Sequence, residues 1–288
     1  MDLATDYIFR TLASKTVSLQ AGRQYLVSGK WTGTSDMGSL MGCRIESYPV
    51  GALSAEQRIR SSLATRNHEG AENGLAPGVQ RSIATPWLLE VPADGDYVVE
   101  LRGQAGRKDH PEYTVSTIDG PGTYLSIAES PWYSGGQEWQ QPTDVQFGNP
   151  TSTVDPRPRA VDVLWKTVEL PADTATARVW TGTEISCEST GASAPLRARL
   201  TAYARQLNPS GGYCNIQTAQ TELSIPGTLH HYRFNQVITL DLRDTCGTSK
   251  INVKVYVEYL AATPGEPERH GGLVHAGPYT AAHVVPTD

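Results

Sequence analysis

Along most of the chain, apolar and polar residues take turns one at a time. In GDYVVELRG, Tyr97, Val99 and Leu101 alternate with Val98, Glu100 and Arg102, and in KINVKVYVEYL, Ile251, Val253, Val255 and Val257 alternate with Asn252, Lys254, Tyr256 and Glu258. A period of two sends successive side chains to opposite faces of a strand, so each stretch is expected to lay one face on a core. LSAEQRIRSSLATRN is ambiguous: Ser54 and Gln57 have the spacing of a capping box, while Ile59, Ser61, Leu63 and Thr65 fit an alternating strand. In a duplicated chain it would correspond to APLRARLTAYARQLN, with Leu196, Ala198, Leu200 and Ala202 on one phase, and both then read as strand. PADGD at 92 to 96 offers Asp-Gly between two strand-like runs and reads as a hairpin turn. Many short strands without intervening helical stretches predict an all-β protein of antiparallel sheets stacked as sandwiches, of jelly-roll or Ig-like type.

The chain also echoes itself. WTGTSDMGSLMGCRIES begins at Trp31 and WTGTEISCES at Trp180, each running from WTGT to a Cys followed closely by Glu-Ser. Upstream, VSL at 17 matches VEL at 168; downstream, YVVELRG loosely matches ITLDLRD. Three matches in the same order, about half a chain apart, predict a duplication into two tandem β-sandwich domains, 1–150 and 151–288. The Pro-rich GNPTSTVDPRPRA, from Gly148 to Ala160, is the expected linker, because Pro disfavours both helix and central strand.

Composition narrows the function. A length of 288 residues accommodates two cores, and the net charge of -6, with no run rich in Lys and Arg, argues against a nucleic-acid partner. No window approaches 18 consecutive apolar residues, so membrane insertion by a helix is not expected. Abundant Gly (27) and Pro (19), few Met (3) and an N-terminus with no signal-peptide pattern read as a mature, secreted or surface-exposed chain.

The four cysteines, Cys43, Cys187, Cys214 and Cys246, form no C-x-x-C unit, which favours disulfides over zinc. Cys214 and Cys246 flank a strand-like segment and are the first expected bridge. Cys43 and Cys187 remain as a second pair linking the halves; Cys187 with Cys214, leaving Cys43 as a thiol, is equally open.

Candidate chemistry centres on SPWYSGGQEWQQPTD, residues 130 to 144, where Trp132, Tyr133 and Trp139 sit among Gly, Pro and Gln with little aliphatic cover. Exposed rings stack on the apolar faces of sugars, and Gln137, Gln140, Gln141 and Asp144 would hydrogen-bond hydroxyls. The competing reading makes the rings anchors at a domain junction. His270, His275 and His283 lie in a Gly-rich tail expected to be loosely packed, and their spacing suits no metal. His230 and His231 would point to opposite faces of a strand, and His68-Glu69 reads as a turn. Asp94, Asp96 and Asp119 occupy ordinary Asx-type turns rather than a calcium loop. No G-x-S-x-G, P-loop, dinucleotide fingerprint or zinc-protease motif is present, so neither a catalytic residue nor a cofactor is expected. Glu90, Glu100, Glu222, Asp241 and Glu258 read as solvated positions on sheet faces. The expected function is non-catalytic recognition of a carbohydrate or a protein surface. A secreted hydrolase of polysaccharide or peptide, and a structural component of a bacterial envelope, spore coat or particle, are the alternatives; the oligomeric state is left open.

Overall fold

The computed structural model describes residues 2–4, 6, 8–35, 40–52, 57–61, 64–67, 81–106, 114–117, 122–128, 136–152, 155–187, 195–225, 232–261 and 271–287. Among them is no α-helix, and the regular structure is strand apart from 3-10 turns such as Asp244–Cys246. The chain divides into two compact units, Met1–Pro131 and Trp132–Asp288.

The first unit carries β1 (Asp2–Ala4), β2 (Arg10–Leu19), β3 (Gln24–Ser35), β4 (Leu40–Pro49), β5 (Ile59–Arg60), β6 (Ala64–Asn67), β7 (Arg81–Glu90), β8 (Gly95–Gly106), β9 (Thr114–Thr117) and β10 (Tyr124–Ala128). Sheet A has the order β1-β9-β3-β10 with β7 on the other side of β3; sheet B has the order β2-β8-β4-β5 with β6 also on β4. All pairings are antiparallel. Val27, Trp31 and Trp87 from sheet A meet Cys43, Ile45, Val99 and Leu101 from sheet B in one core. The two layers approach closely: a Cβ on Gly29 would fall 2.6 Å from Leu101 Cδ1. Alternation is clearest in β8, where every second residue is buried.

The second unit adds β11 (Gln137–Gln141), β12 (Val145–Gly148), β13 (Ala160–Glu169), β14 (Thr176–Cys187), β15 (Leu196–Leu207), β16 (Tyr213–Ile225), β17 (Tyr232–Asp241), β18 (Lys250–Tyr259), β19 (Gly271–Val274) and β20 (Gly277–Thr287). Sheet C has the order β11-β20-β14-β19-β12 with β17 on the other side of β14; sheet D has the order β13-β18-β15-β16. Ile251, Val253, Val255 and Val257 of β18 are fully buried, as are Val179, Leu240 and Val284 of sheet C. Each such aliphatic side chain contributes about 1.5–3 kcal/mol on burial.

Strand for strand, the units repeat. β12, β13, β14, β15, β16, β17, β18, β19 and β20 take the pairings that β1, β2, β3, β4, β5/β6, β7, β8, β9 and β10 take in the first unit, and among the described strands only β11 has no counterpart. The duplication is thus written in topology, with three changes from the sequence reading. ITLDLRD lies in β17, the equivalent of β7, whereas the equivalent of YVVELRG is KINVKVYVEYL in β18. The two WTGT stretches occupy equivalent strands but opposite faces: Trp31 is fully buried in the core beside its partner Ile83, whereas Trp180 pairs with the exposed Val237. A slip of one residue exchanges the faces of a strand. Finally, PADGD is no hairpin. It carries the chain from sheet A to sheet B, and Asp94 Oδ1 accepts a 2.8 Å hydrogen bond from the Ala21 amide.

The boundary differs as well: it falls at Pro131, not near residue 150, because β11 and β12 hydrogen-bond to β20 and β19. GNPTSTVDPRPRA is a loop within the second unit, closed by hydrogen bonds from the Gly148 amide to the Pro158 carbonyl (2.9 Å) and from the Arg157 amide to Asn149 (3.2 Å). The His-containing tail is not loosely packed: β20 is an interior strand of sheet C, with Ala281, Ala282, Val284 and Val285 fully buried.

Cys214 and Cys246 form the expected disulfide across 32 residues of sequence. The expected bridge between Cys43 and Cys187 is absent, and both are buried thiols. Cys43 packs within the core of the first unit, and Cys187 Sγ donates to the Ile225 carbonyl at 3.4 Å in the second.

Candidate functional site

Of the residues expected to bind a ligand, those described are divided between the two faces of one strand. Trp132 and Tyr133 lie outside the described residues, as do His68, Glu69, Asp119, His230, His231 and His270. Gln137, Trp139 and Gln140 lie on β11, whose alternation divides them. Gln137 and Trp139 share the side of their partners Val284 and Ala282, towards the core; Gln140, with Glu138, takes the other face. Trp139 is half-buried, its indole Nε1 is buried without an acceptor, and the Lys166 ammonium sits over the ring at 5.4 Å. Gln137 Nε2 reaches the Glu169 carbonyl of β13 at 3.4 Å. Trp139 thus stands on an edge strand of sheet C, with the Lys166 ammonium against its ring.

An aromatic surface does exist, on the face of sheet D opposite the core. Trp165 of β13 pairs with Lys254 of β18, which pairs with Tyr203 of β15, so these three side chains form one row across three strands. The Trp165 side chain is 67% exposed, the largest exposure of any large apolar residue described. Tyr203 and Tyr256 stack with centroids 5.9 Å apart. A hydrogen bond to Tyr256, together with burial, raises the Tyr203 phenol above its ordinary value, so the hydroxyl stays protonated and able to donate. The Arg205 guanidinium lies between the rings of Tyr203 (4.2 Å) and Tyr213 (4.6 Å), and Lys254 sits over Trp165 at 5.7 Å. Around the rings, polar side chains are already paired: Arg199 with Glu222 (2.7 Å) and Glu258 (3.5 Å), and Lys254 with Asp162 (2.8 Å). The result is a patch of rings and cations bordered by paired polar side chains.

Trp165 was hidden in the sequence for a local reason. In AVDVLWKTVE, simple alternation through Val161 and Val163 would carry Trp165 into the core. The ladder instead shifts register between Asp162 and Leu164, so Val163 and Leu164 are both buried and Trp165 turns outward. An extra residue in one strand re-aims every side chain beyond it.

A second group of chemistry-bearing residues lies on the face of sheet C opposite its core. His283 of β20 is 1% exposed and pairs across the ladder with Glu138, whose Oε2 is 3.3 Å from His283 Nδ1. Burial lowers the imidazole below its ordinary value, outweighing the attraction of Glu138 and aided by repulsion from Arg233, so His283 is neutral beside a carboxylate. Arg233 Nη1 donates to the Tyr279 carbonyl (3.2 Å), and Ser186 Oγ is 2.9 Å from His275 Nε2. The Ser-His contact is short enough for proton exchange, but Ser186 is itself buried.

At one end of the second sandwich, a cavity of about 440 Å³ is lined by Thr174, Gln206, Arg243, Asp244, Lys250 and Glu169 among others. Ala172 and Leu242 add apolar surface to these polar walls, the described lining carries no ring, and Glu169 is 3.7 Å from Lys250. No group of three or more metal-ligating side chains gathers among the described residues. The carboxylates Glu222, Glu258 and Glu100 stand in pairs with Arg199, Arg159 and Arg58 on sheet faces.

No protein-family model matches the sequence, and no curated protein is similar to it. Among solved structures, PNGase F, a glycosylasparaginase from Flavobacterium meningosepticum, is similar over 100% of this chain and 96% of its own, at 10% identity and a TM-score of 0.37. PNGF-II is similar over 96% of this chain and 60% of its own, at 11% identity and a TM-score of 0.36. The VP2 subviral particle of infectious bursal disease virus is similar over 98% and 77%, at 12% identity and a TM-score of 0.29. With likenesses this distant, the assignment to antiparallel β-sandwiches rests on the strand register itself.

Proposed function

We propose that the protein is a secreted, non-catalytic carbohydrate-binding protein whose ligand lies on the outer face of sheet D. The observation that carries this reading is Trp165, 67% exposed in mid-strand and in register with Lys254 and Tyr203. Leaving so large a ring in water forgoes about 1.5–3 kcal/mol of burial, a cost that a bound apolar face would offset. Pyranose rings present such a face, with hydroxyls at their rim. Gln220, Glu222, Asp162 and Tyr256 stand where those hydroxyls would need partners. Strands hold the rings with little ordering cost on binding. The disulfide supports an oxidising, extracellular compartment.

The test is a screen of soluble and insoluble polysaccharides with the intact protein, Trp165→Ala, Tyr203→Ala and Trp139→Ala. Binding lost in the first two variants and kept in the third supports the reading; equal binding by all four proteins, or none by the intact one, removes it.

One observation favours a second reading, a component that assembles with copies of itself. Tyr213 (51% exposed) and Ile216 (49%) lie on β16 beside the same platform, next to Arg205. Light scattering separates the two: a stable oligomer that Trp165→Ala dissociates would make this face a protein contact.

A further inference from the structure

The outer face of sheet B holds an unusual arrangement of charge. Arg44 of β4 stands directly opposite Arg102 of β8, and the next outward pair is Glu46 opposite Glu100, so like charges face each other in two successive rows. Such pairs are unfavourable, and the face is held by diagonal contacts instead. The Glu46 carboxylate, fully buried at the centre, receives Arg44 at 2.5 Å and Arg60 at 3.6 Å on Oε1, and Arg58 at 2.7 Å and Arg102 at 3.2 Å on Oε2. Glu100 takes Arg58 at 3.5 Å and a hydrogen bond from Tyr48 at 3.0 Å. Four guanidiniums thus stand against two carboxylates, in a chain whose net charge is -6.

Two of the guanidiniums are laid flat on rings, Arg44 over Phe9 at 3.8 Å and Arg58 over Tyr48 at 4.4 Å, which fixes the direction of their N–H edges. Arg60 is half exposed, and its only ion pair among the described residues is the 3.6 Å approach to an oxygen that Arg44 already holds. Burial lowers the basicity of Arg44; the charge and hydrogen bond of Glu46 oppose this, and the nearby charges of Arg60 and Arg102 add to it.

We infer that this face is an anion-binding site for a tetrahedral oxyanion, a sulfate or phosphate group borne by a polysaccharide or free in solution. Glu46 is the template: it gathers the guanidiniums round one point, while the side chains of Arg44, Arg58 and Arg60 stay 22%, 27% and 50% exposed. Arms converging from β4 and from the segment Arg58–Arg60 suit an anion with several oxygens, and a guanidinium presents its N–H groups as a fork that fits them. The site lies in the first unit and stands independently of the sugar platform on sheet D.

The experiment measures binding of the full chain to dextran sulfate, uncharged dextran, inorganic sulfate and inorganic phosphate at low and raised salt. The proteins are wild type, Arg60→Gln, Arg60→Gln with Arg44→Gln, and Arg178→Gln as an exposed control on β14. Wild type is expected to bind dextran sulfate and not dextran, more weakly as salt rises. The double variant is expected to lose at least tenfold in affinity, while Arg178→Gln loses nothing. A thermal upshift with inorganic sulfate or phosphate in wild type but not in the double variant supports the free-ion form. If the double variant fails to fold by circular dichroism, Arg60→Gln alone is read, since that side chain makes no hydrogen bond within the described residues. Failure of wild type to bind any of the anions at low salt, or binding by the double variant equal to that of wild type, overturns the site.

Discussion

His283 Nδ1 lies 3.3 Å from Oε2 of Glu138, the residue directly across from it in the β11/β20 ladder, in a position where the imidazole is shut off from water. Because burial lowers its affinity for a proton, the unfolded chain binds that proton more readily than the folded one as pH falls through the ordinary histidine value of 6.5. Stability is therefore unaffected by this group well above pH 6.5 and falls as pH drops below it. The melting temperature followed from pH 8 to pH 5 should decline, and His283→Gln should flatten that decline; parallel curves for the two proteins would falsify the assignment.

Glu46 titrates in the opposite sense. Burial alone would raise its carboxyl, but the hydrogen bond from Arg58 and the charges of Arg44 and Arg102 outweigh burial and hold it below the ordinary value of 4.5. Its contribution is present above pH 4.5 and disappears as pH falls through the lowered value. Glu46→Gln leaves four guanidiniums without their central charge and should cost about 3 kcal/mol or more at pH 7. Chemical denaturation at pH 7 and at pH 3 checks this, the difference between wild type and variant shrinking in acid.

The single disulfide closes a loop of 32 residues between Cys214 and Cys246. Constraining the unfolded chain over such a loop stabilises by about 2–4 kcal/mol. Reducing agent, or Cys214→Ser with Cys246→Ser, should lower the urea midpoint correspondingly. Thiol titration of the unreduced protein should find two reactive groups on unfolding, Cys43 and Cys187, and slow reaction of both before it.

Gly182 sits under Arg233: a Cβ there would fall 2.2 Å from Nη2 and 2.7 Å from Cζ of the guanidinium. Arg233 is buried and tied to the Tyr279 carbonyl, so it cannot simply swing aside. Gly182→Ala should destabilise by about 1–3 kcal/mol, and thermal unfolding measures it. A neutral result would mean that Arg233 has room to move.

The sequence by itself determined the local features. A period of two and the absence of helical periodicity specified strands; LSAEQRIRSSLATRN supplies the short β5 and β6 and APLRARLTAYARQLN supplies β15, but the two are not counterparts, since β5/β6 match β16 and β15 matches β4. Two of the three repeated motifs, WTGT and VSL/VEL, lie on equivalent strands and pointed to the duplication, while the match of YVVELRG to ITLDLRD joined unlike strands; the positions of Cys214 and Cys246 around a strand-like segment pointed to their bridge. Tertiary structure decided the rest, because it turns on partners distant in sequence. Which sheet receives β11, and so where one unit ends, depends on hydrogen bonds to β20 more than 130 positions later. The bulge at Val163 turns Trp165 from core to surface, a reversal that alternation cannot register. Glu46 was an ordinary polar position between Ile45 and Ser47 until folding brought Arg58, Arg60 and Arg102 round it. Burial of a charge depends on how many neighbours converge on it, and that number exists only in the folded chain.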